Sequence, residues 1–101
     1  MAGYLFVVQL DVPSDVEEEF NRLYDEEHVP TLLTIEGVSN ARRYELVDGD
    51  ADMPRYATFY DVASPDIPNS EEWHRRATTP DYLRLRRHRK RRGRGTFRRI
   101  L

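Results

Sequence analysis

Residues 20–37 read FNRLYDEEHVPTLLTIEG, and the rest of the chain can be worked outward from them. Phe20, Leu23 and Tyr24 fall at helical spacing, and Val16 one turn earlier extends the same apolar face. Tyr24 and His28 are four residues apart, so they share one side of the helix at the edge of that face. Asp25 and Glu26 look outward by the same count. Pro30 disfavours α conformation at Val29. The reading is therefore a bend at the proline, a second short helix over residues 31–35, and a stop at Gly37. A bend of this type over a sheet leaves room beneath it. Upstream, Ser14 and Glu17 have capping-box spacing, and the acids at positions 15 and 17–19 suit a helix N-terminus.

Strands frame this helix. Residues 4–12, YLFVVQLDV, are apolar on both faces and need a cover on each. Residues 38–47 and 55–62 read as a hairpin around the turn-rich loop DGDADMP at 48–54. In the second of these strands Tyr56, Thr58, Tyr60 and Val62 alternate with Ala57, Phe59 and Asp61. Ser70 caps a further helix that carries Trp73 and His74, and Thr79-Pro80 restarts it. Arg-rich helix is expected to Arg92, with Gly93 and Gly95 as breaks and a last strand over residues 96–101. The order β-α-β-β-α-β predicts an α+β, ferredoxin-like fold: a four-stranded antiparallel sheet with its helices on one face. The economical cover for the other face is a second copy of the chain.

At 101 residues, one domain spanning 1–101 is expected, small enough to gain from association. The chain has no cysteine, which excludes disulfides, thiol nucleophiles and thiolate metal sites. The apolar start lacks a basic leader and a small-residue cleavage site, and nothing reaches the ~20 apolar residues of a membrane span. Cytoplasm is the expected location. The net charge of −2 conceals an asymmetry. Residues 84–101 hold ten of the sixteen Lys and Arg and no acid; residues 1–83 carry six basic against eighteen acidic residues, a balance of −12. The basic tail is expected to lie against an acidic body, its own or a partner's. A nucleic-acid arm fits poorly, because that body would repel phosphate.

His28 is the leading candidate for chemistry. Its ordinary pKa near ~6.5 suits acid–base work, with Asp25 or Glu27 to orient it; the alternative is an imidazole that fills the helix end and bonds a backbone carbonyl. Tyr24 could donate to a developing oxyanion. Tyr44, Tyr60 and Trp73 could wall an aromatic pocket, with Arg43 as an anion partner. No metal-ligand spacing, phosphate loop, nucleophile elbow or dinucleotide fingerprint is present.

The run Tyr24-Asp25-Glu26-Glu27-His28-Val29-Pro30, with Leu32-Leu33, Glu36-Gly37-Val38 and Ala41-Arg42-Arg43-Tyr44, resembles the EthD-like family of the dimeric α/β-barrel superfamily. Leu23 stands where an aromatic is frequent and Glu36 where proline is frequent. Tyr56, Phe59-Tyr60, Ser64-Pro65 and Ser70-x-x-Trp73 are also similar, so the resemblance covers roughly residues 4–80. It implies a homodimer whose sheets pack face to face, and a pocket between each sheet and its own helices with His28 at it. Relatives in the superfamily include small-molecule isomerases, polyketide cyclases, monooxygenases and haem-binding enzymes. Two expectations follow. One is an enzyme or enzyme accessory for an apolar or aromatic carbonyl compound, without a cofactor, in which His28 is acid or base and Tyr24 and Tyr44 donate to an oxyanion. The other is a non-catalytic ligand-binding or interaction homodimer. Haem held by His28 is a weaker variant.

Overall fold

Strands β1 (Tyr4–Asp11), β2 (Val38–Glu45), β3 (Tyr56–Val62) and β4 (Lys90–Arg98) form one antiparallel sheet in the order β2-β3-β1-β4. The structure is a computed structural model and describes residues 3–101. Helices α1 (Ser14–Leu23), α2 (Val29–Leu32), α3 (Glu71–Ala77) and α4 (Pro80–Arg86) cover one face. This is the expected ferredoxin-like arrangement, four-stranded with helices on one side. Among the described residues no helix is long and apolar enough to cross a membrane.

The period-2 pattern of β3 decides which side is which. Tyr56, Thr58, Tyr60 and Val62 are buried under the helices, while Ala57, Phe59 and Asp61 face the other way and are half-buried. Register carries this across the sheet. Phe6 pairs Tyr60 and Thr96, and Val8 pairs Thr58 and Arg94, on the helix side; Val7 pairs Phe59 and Gly95 on the outer side. The core is therefore one layer between sheet and helices, built on Phe6, Leu10, Phe20, Leu32, Tyr60 and Val62.

Three local readings change. Pro30 does not bend the helix: Val29 keeps α conformation, with φ −67° and ψ −46°. The adjustment comes earlier, as a π-helical turn over Tyr24–His28 that joins α1 to α2, with the Val29 N–H donating to the Tyr24 carbonyl. Widening the turn accommodates a proline that offers no N–H and crowds the carbonyl four residues back. The capping box does not form either. Pro13 is the N-cap, without a side-chain cap, and the Glu17 carboxylate accepts from Arg55 and from the Tyr56 hydroxyl instead. Charge-assisted bonds outcompete a local amide. Finally, α4 stops at Arg86, and Gly93 and Gly95 lie inside β4 rather than breaking it. Pairing along the whole of β1 outweighs their weak strand preference.

Ser70 and Thr79 cap α3 and α4 as expected, accepting from the amides of Trp73 and Tyr82 at 3.1 and 3.3 Å. α2 ends at Leu32 with Leu33 as its C-cap, earlier than the expected Ile35, and Gly37 takes its φ of 91° in the turn that leads into β2 instead. A Cβ there would lie 2.5 Å from Ile67 Cδ1. Gly37→Ala is expected to cost about 1–3 kcal/mol, which lowers the melting temperature by roughly 5–20 °C. Calorimetry checks this; an unchanged melting temperature would show that the turn relaxes freely.

Candidate functional site

The helices do not fill the space above β1 and β3. A cavity of about 370 Å³ remains, walled by Phe6, Tyr24, His28, Tyr60, Trp73 and Tyr82. The π-helical turn supplies two of these. It sets the Tyr24 and His28 rings 4.5 Å apart, both buried and turned to the sheet. π-Helical turns recur where a helix must present side chains to a site. Strands β1 and β3 contribute Phe6 and Tyr60, and α3 contributes Trp73. The indole meets both rings edge-on, at 5.3 and 5.1 Å. From α4, Tyr82 stacks flat on the imidazole, with centroids 4.1 Å apart and planes 6° apart.

Burial governs the chemistry of these groups. His28 is 6 % exposed. Desolvation, then the positive charges of Arg43 and Arg89, push its pKa from 6.5 to about 3. The imidazole is therefore neutral at physiological pH. Its Nδ1 is sealed without a partner among the described residues, which leaves Nε2 as the nitrogen that can meet a ligand. Burial, followed by the neighbouring Tyr82, raises the Tyr24 and Tyr60 hydroxyls above the ordinary tyrosine range, so both stay protonated donors.

Of the residues expected from sequence, His28, Tyr24, Tyr60 and Trp73 meet at this cavity. Asp25 does not. Its carboxylate is exposed and paired with Arg43 at 2.7 Å, so it cannot orient the imidazole. Arg43 stands behind the wall. It also donates to Asn21 and lies over the Phe20, Tyr24 and Tyr56 rings at 5.5, 5.0 and 5.6 Å. There it props Tyr24 by cation–π contact. Tyr44 is on the opposite face of the sheet, edge-on to Phe59 at 5.4 Å, and cannot share a ligand with His28. That outer face carries a second, shallower hollow of about 580 Å³ bordered by Leu5, Tyr44, Met53 and Phe59.

Sequence reasoning missed Tyr82 and the arginines at the cavity mouth, Arg86, Arg89, Arg92 and Arg94. A signal was present. Tyr82, Leu85, Arg86 and Arg89 follow the i, i+3, i+4, i+7 spacing of one helix face, and Arg92 and Arg94 follow the period of a strand. The basic tail does touch the acidic body, through Arg84 to Glu19 and Arg91 to Asp11. Much of it borders the cavity instead.

The chain is similar in fold, over nearly its whole length, to several solved structures. The haem degrader MhuD from Mycobacterium tuberculosis, with two haems bound in its active site, superposes with a TM-score of 0.63 at 15% identity, covering 97% of this chain and 96% of that one. An ethyl tert-butyl ether degradation (EthD) family protein from Bacillus halodurans gives 0.54 at 10% identity, covering 96% and 99%. SnoaB, a cofactor-independent oxygenase from Streptomyces nogalater, gives 0.54 at 16% identity, covering 97% and 91%. The likeness is one of fold: a four-stranded antiparallel sheet with its helices on one face. No protein-family profile matches the sequence, and no curated protein matches it. The cavity at His28 lies between the sheet and its helices, while the outer sheet face with Tyr44 and Phe59 points away from it.

Proposed function

We propose that this protein is a homodimer that holds a small aromatic or apolar carbonyl compound at His28 and acts on it by proton abstraction beside the carbonyl. That step opens isomerisation, cyclisation and cofactor-free oxygenation alike. One observation carries the reading: a neutral imidazole, with one nitrogen available, stands in an aromatic cavity whose charged lining is entirely cationic. Nε2 takes the proton, and the electron pair left behind spreads onto the carbonyl oxygen. The Tyr24 and Tyr60 hydroxyls and the arginines stabilise that oxyanion. An imidazole of such low pKa is a weak base by itself. A negative charge brought into the cavity offsets Arg43 and Arg89 and raises its pKa toward the ordinary value. The architecture it shares with a cofactor-independent oxygenase supports this chemistry.

A haem reading has one specific support. His28 is neutral, the form that binds iron, and arginines at the mouth suit the carboxylates of a porphyrin. His28 would then hold the iron, which supplies redox chemistry.

Native mass spectrometry of the purified protein, with an absorption scan of the same sample, separates these readings. A dimer with a co-purified aromatic compound and no Soret band is the expected result. His28→Ala should then keep the dimer and lower turnover of that compound, or of its immediate precursor, by at least ~10². Full turnover in that variant removes His28 from the chemistry, and a Soret band that vanishes with His28 replaces proton abstraction by the haem reading.

A further inference from the structure

Eleven of the fifteen arginines fall into two groups; Arg22, Arg87, Arg98 and Arg99 have no ion pair among the described residues and lie away from the cavity. Arg42, Arg43, Arg55, Arg75, Arg76, Arg84 and Arg91 each pair with a carboxylate. None of them borders the His28 cavity. The four that do, Arg86, Arg89, Arg92 and Arg94, have no carboxylate within ion-pair distance among the described residues. Although the chain has eighteen acidic residues, not one lines that cavity. Folding alone would favour the reverse, since gathered cations repel and a nearby acid relieves them.

Their placement is built by the backbone. Arg86 ends α4, and Arg89 follows in the turn, half-buried, donating to the Tyr82 hydroxyl at 3.1 Å. Burial lowers the Arg89 pKa, and the charges of Arg92 and Arg86 lower it further. Strand β4 then slips register against β1 between Gln9 and Asp11, and Arg91 adopts φ 51°. This bulge fits one extra residue opposite Leu10, a helix-side position, and Arg92 and Arg94 reach the cavity mouth. Arg94 is already engaged: it donates to Asn69 Oδ1 at 3.2 Å and to the Pro68 carbonyl at 3.0 Å, with its guanidinium 4.7 Å from the Phe6 ring. Among the described residues Arg86 and Arg92 make no side-chain hydrogen bond, and Arg89 makes one that leaves most of its donors free.

We propose that the cavity selects aromatic compounds bearing a carboxylate or a similarly compact anionic group. The rings lie against Trp73, Tyr60 and Tyr82, and the anion lies against Arg86, Arg89 and Arg92. This rests on reading the cavity as a small-molecule site and names the class of molecule it takes. Guanidinium forks bind carboxylates through paired charge-assisted bonds, and the aromatic walls hold a flat hydrocarbon body edge-on or stacked.

The matched probes 2-naphthoate and 2-naphthamide have the same body and differ in charge. Trp73 is the chain's only tryptophan, so its indole cross-peak in a nitrogen–proton correlation spectrum reports on this cavity alone. Titration should move that peak with both probes, with the dissociation constant of naphthoate at least about tenfold lower. Added salt should narrow the difference. Arg89→Met and, separately, Arg92→Met should each erode the preference, read as the ratio of the two dissociation constants, several-fold. Should Arg89→Met lose its tertiary structure, Arg92→Met at the exposed rim decides. Equal affinities with a moving Trp73 peak overturn the anion selectivity and leave the aromatic site standing. A motionless Trp73 peak with both probes overturns both.

Discussion

At pH 4 the chain is expected to be about 3 kcal/mol less stable than at pH 7 through His28 alone. In the unfolded chain the imidazole titrates near 6.5, and in the fold near 3. Below pH 6.5 the unfolded state takes up a proton that the folded state refuses. The stability contributed by the neutral ring is thus complete above 6.5 and is lost as pH falls toward 3. The surroundings keep the proton out. Tyr24 from the same helical stretch and Tyr82 from α4 cover the ring, and Arg43 from β2 and Arg89 beyond α4 add positive charge. Asp25, one of the counter-charges expected from sequence, is spent on Arg43.

For a domain whose total stability is of order 5–15 kcal/mol, this loss matters. The melting temperature should fall by roughly 12–24 °C between pH 7 and pH 4. His28→Phe keeps an aromatic ring between Tyr24 and Tyr82 and should remove most of that slope. Glu17 acts in the same direction but later. Bonds from Tyr56 and Arg55 lower its pKa, so its contribution is present above its ordinary 4.5 and is lost only below it. The window from pH 6.5 to 5 therefore belongs to His28. Parallel pH slopes for the native chain and His28→Phe would show that the imidazole is not held neutral.

How far the sequence could be read follows from range. Elements set by local rules were legible: the alternation of β3 and the Ser70 and Thr79 caps stand where the residues put them. Where a distant partner competes, local reading gave way. Glu17 left its capping role for Arg55 and Tyr56, some forty residues on, and Asp25 left His28 for Arg43 across the sheet. The same holds for the site. Helical spacing put Tyr24 and His28 together, but no spacing rule links them to Tyr82 and Arg89, which arrive from α4 and the turn after it, more than fifty residues on. Tyr44 and Arg43 are neighbours in sequence, so the pleat sends them to opposite faces, and only register tells which is inside.

Placing a single carboxylate at the centre of the outer sheet face, by Phe59→Asp, is expected to weaken self-association at least ~10³-fold while leaving the protomer folded. On that face Leu5 and Val7 of β1 lie beside Phe59 of β3, flanked by Tyr44 of β2 and Phe97 of β4. Tyr44 is 55% exposed and Phe97 61% exposed, large apolar side chains on a side with no helices. Gly93 and Gly95 also face outward beside Gln9 and Val7, where a Cβ would meet nothing within 4 Å. They leave a trough into which a facing side chain can pack. A sheet apolar on both faces is stable in water only when both are covered. In a two-fold dimer each substitution occurs twice, so two unpaired carboxylates would be buried, each costing several kcal/mol. Within the protomer Phe59 points away from the core, so the variant should keep its circular dichroism and the His28 pocket. Phe59→Leu, apolar and of similar size, should keep the dimer. Sedimentation velocity across a concentration series distinguishes the cases. A native chain that sediments as a monomer at high micromolar concentration refutes the dimer, and an associated Phe59→Asp variant moves the interface to another surface.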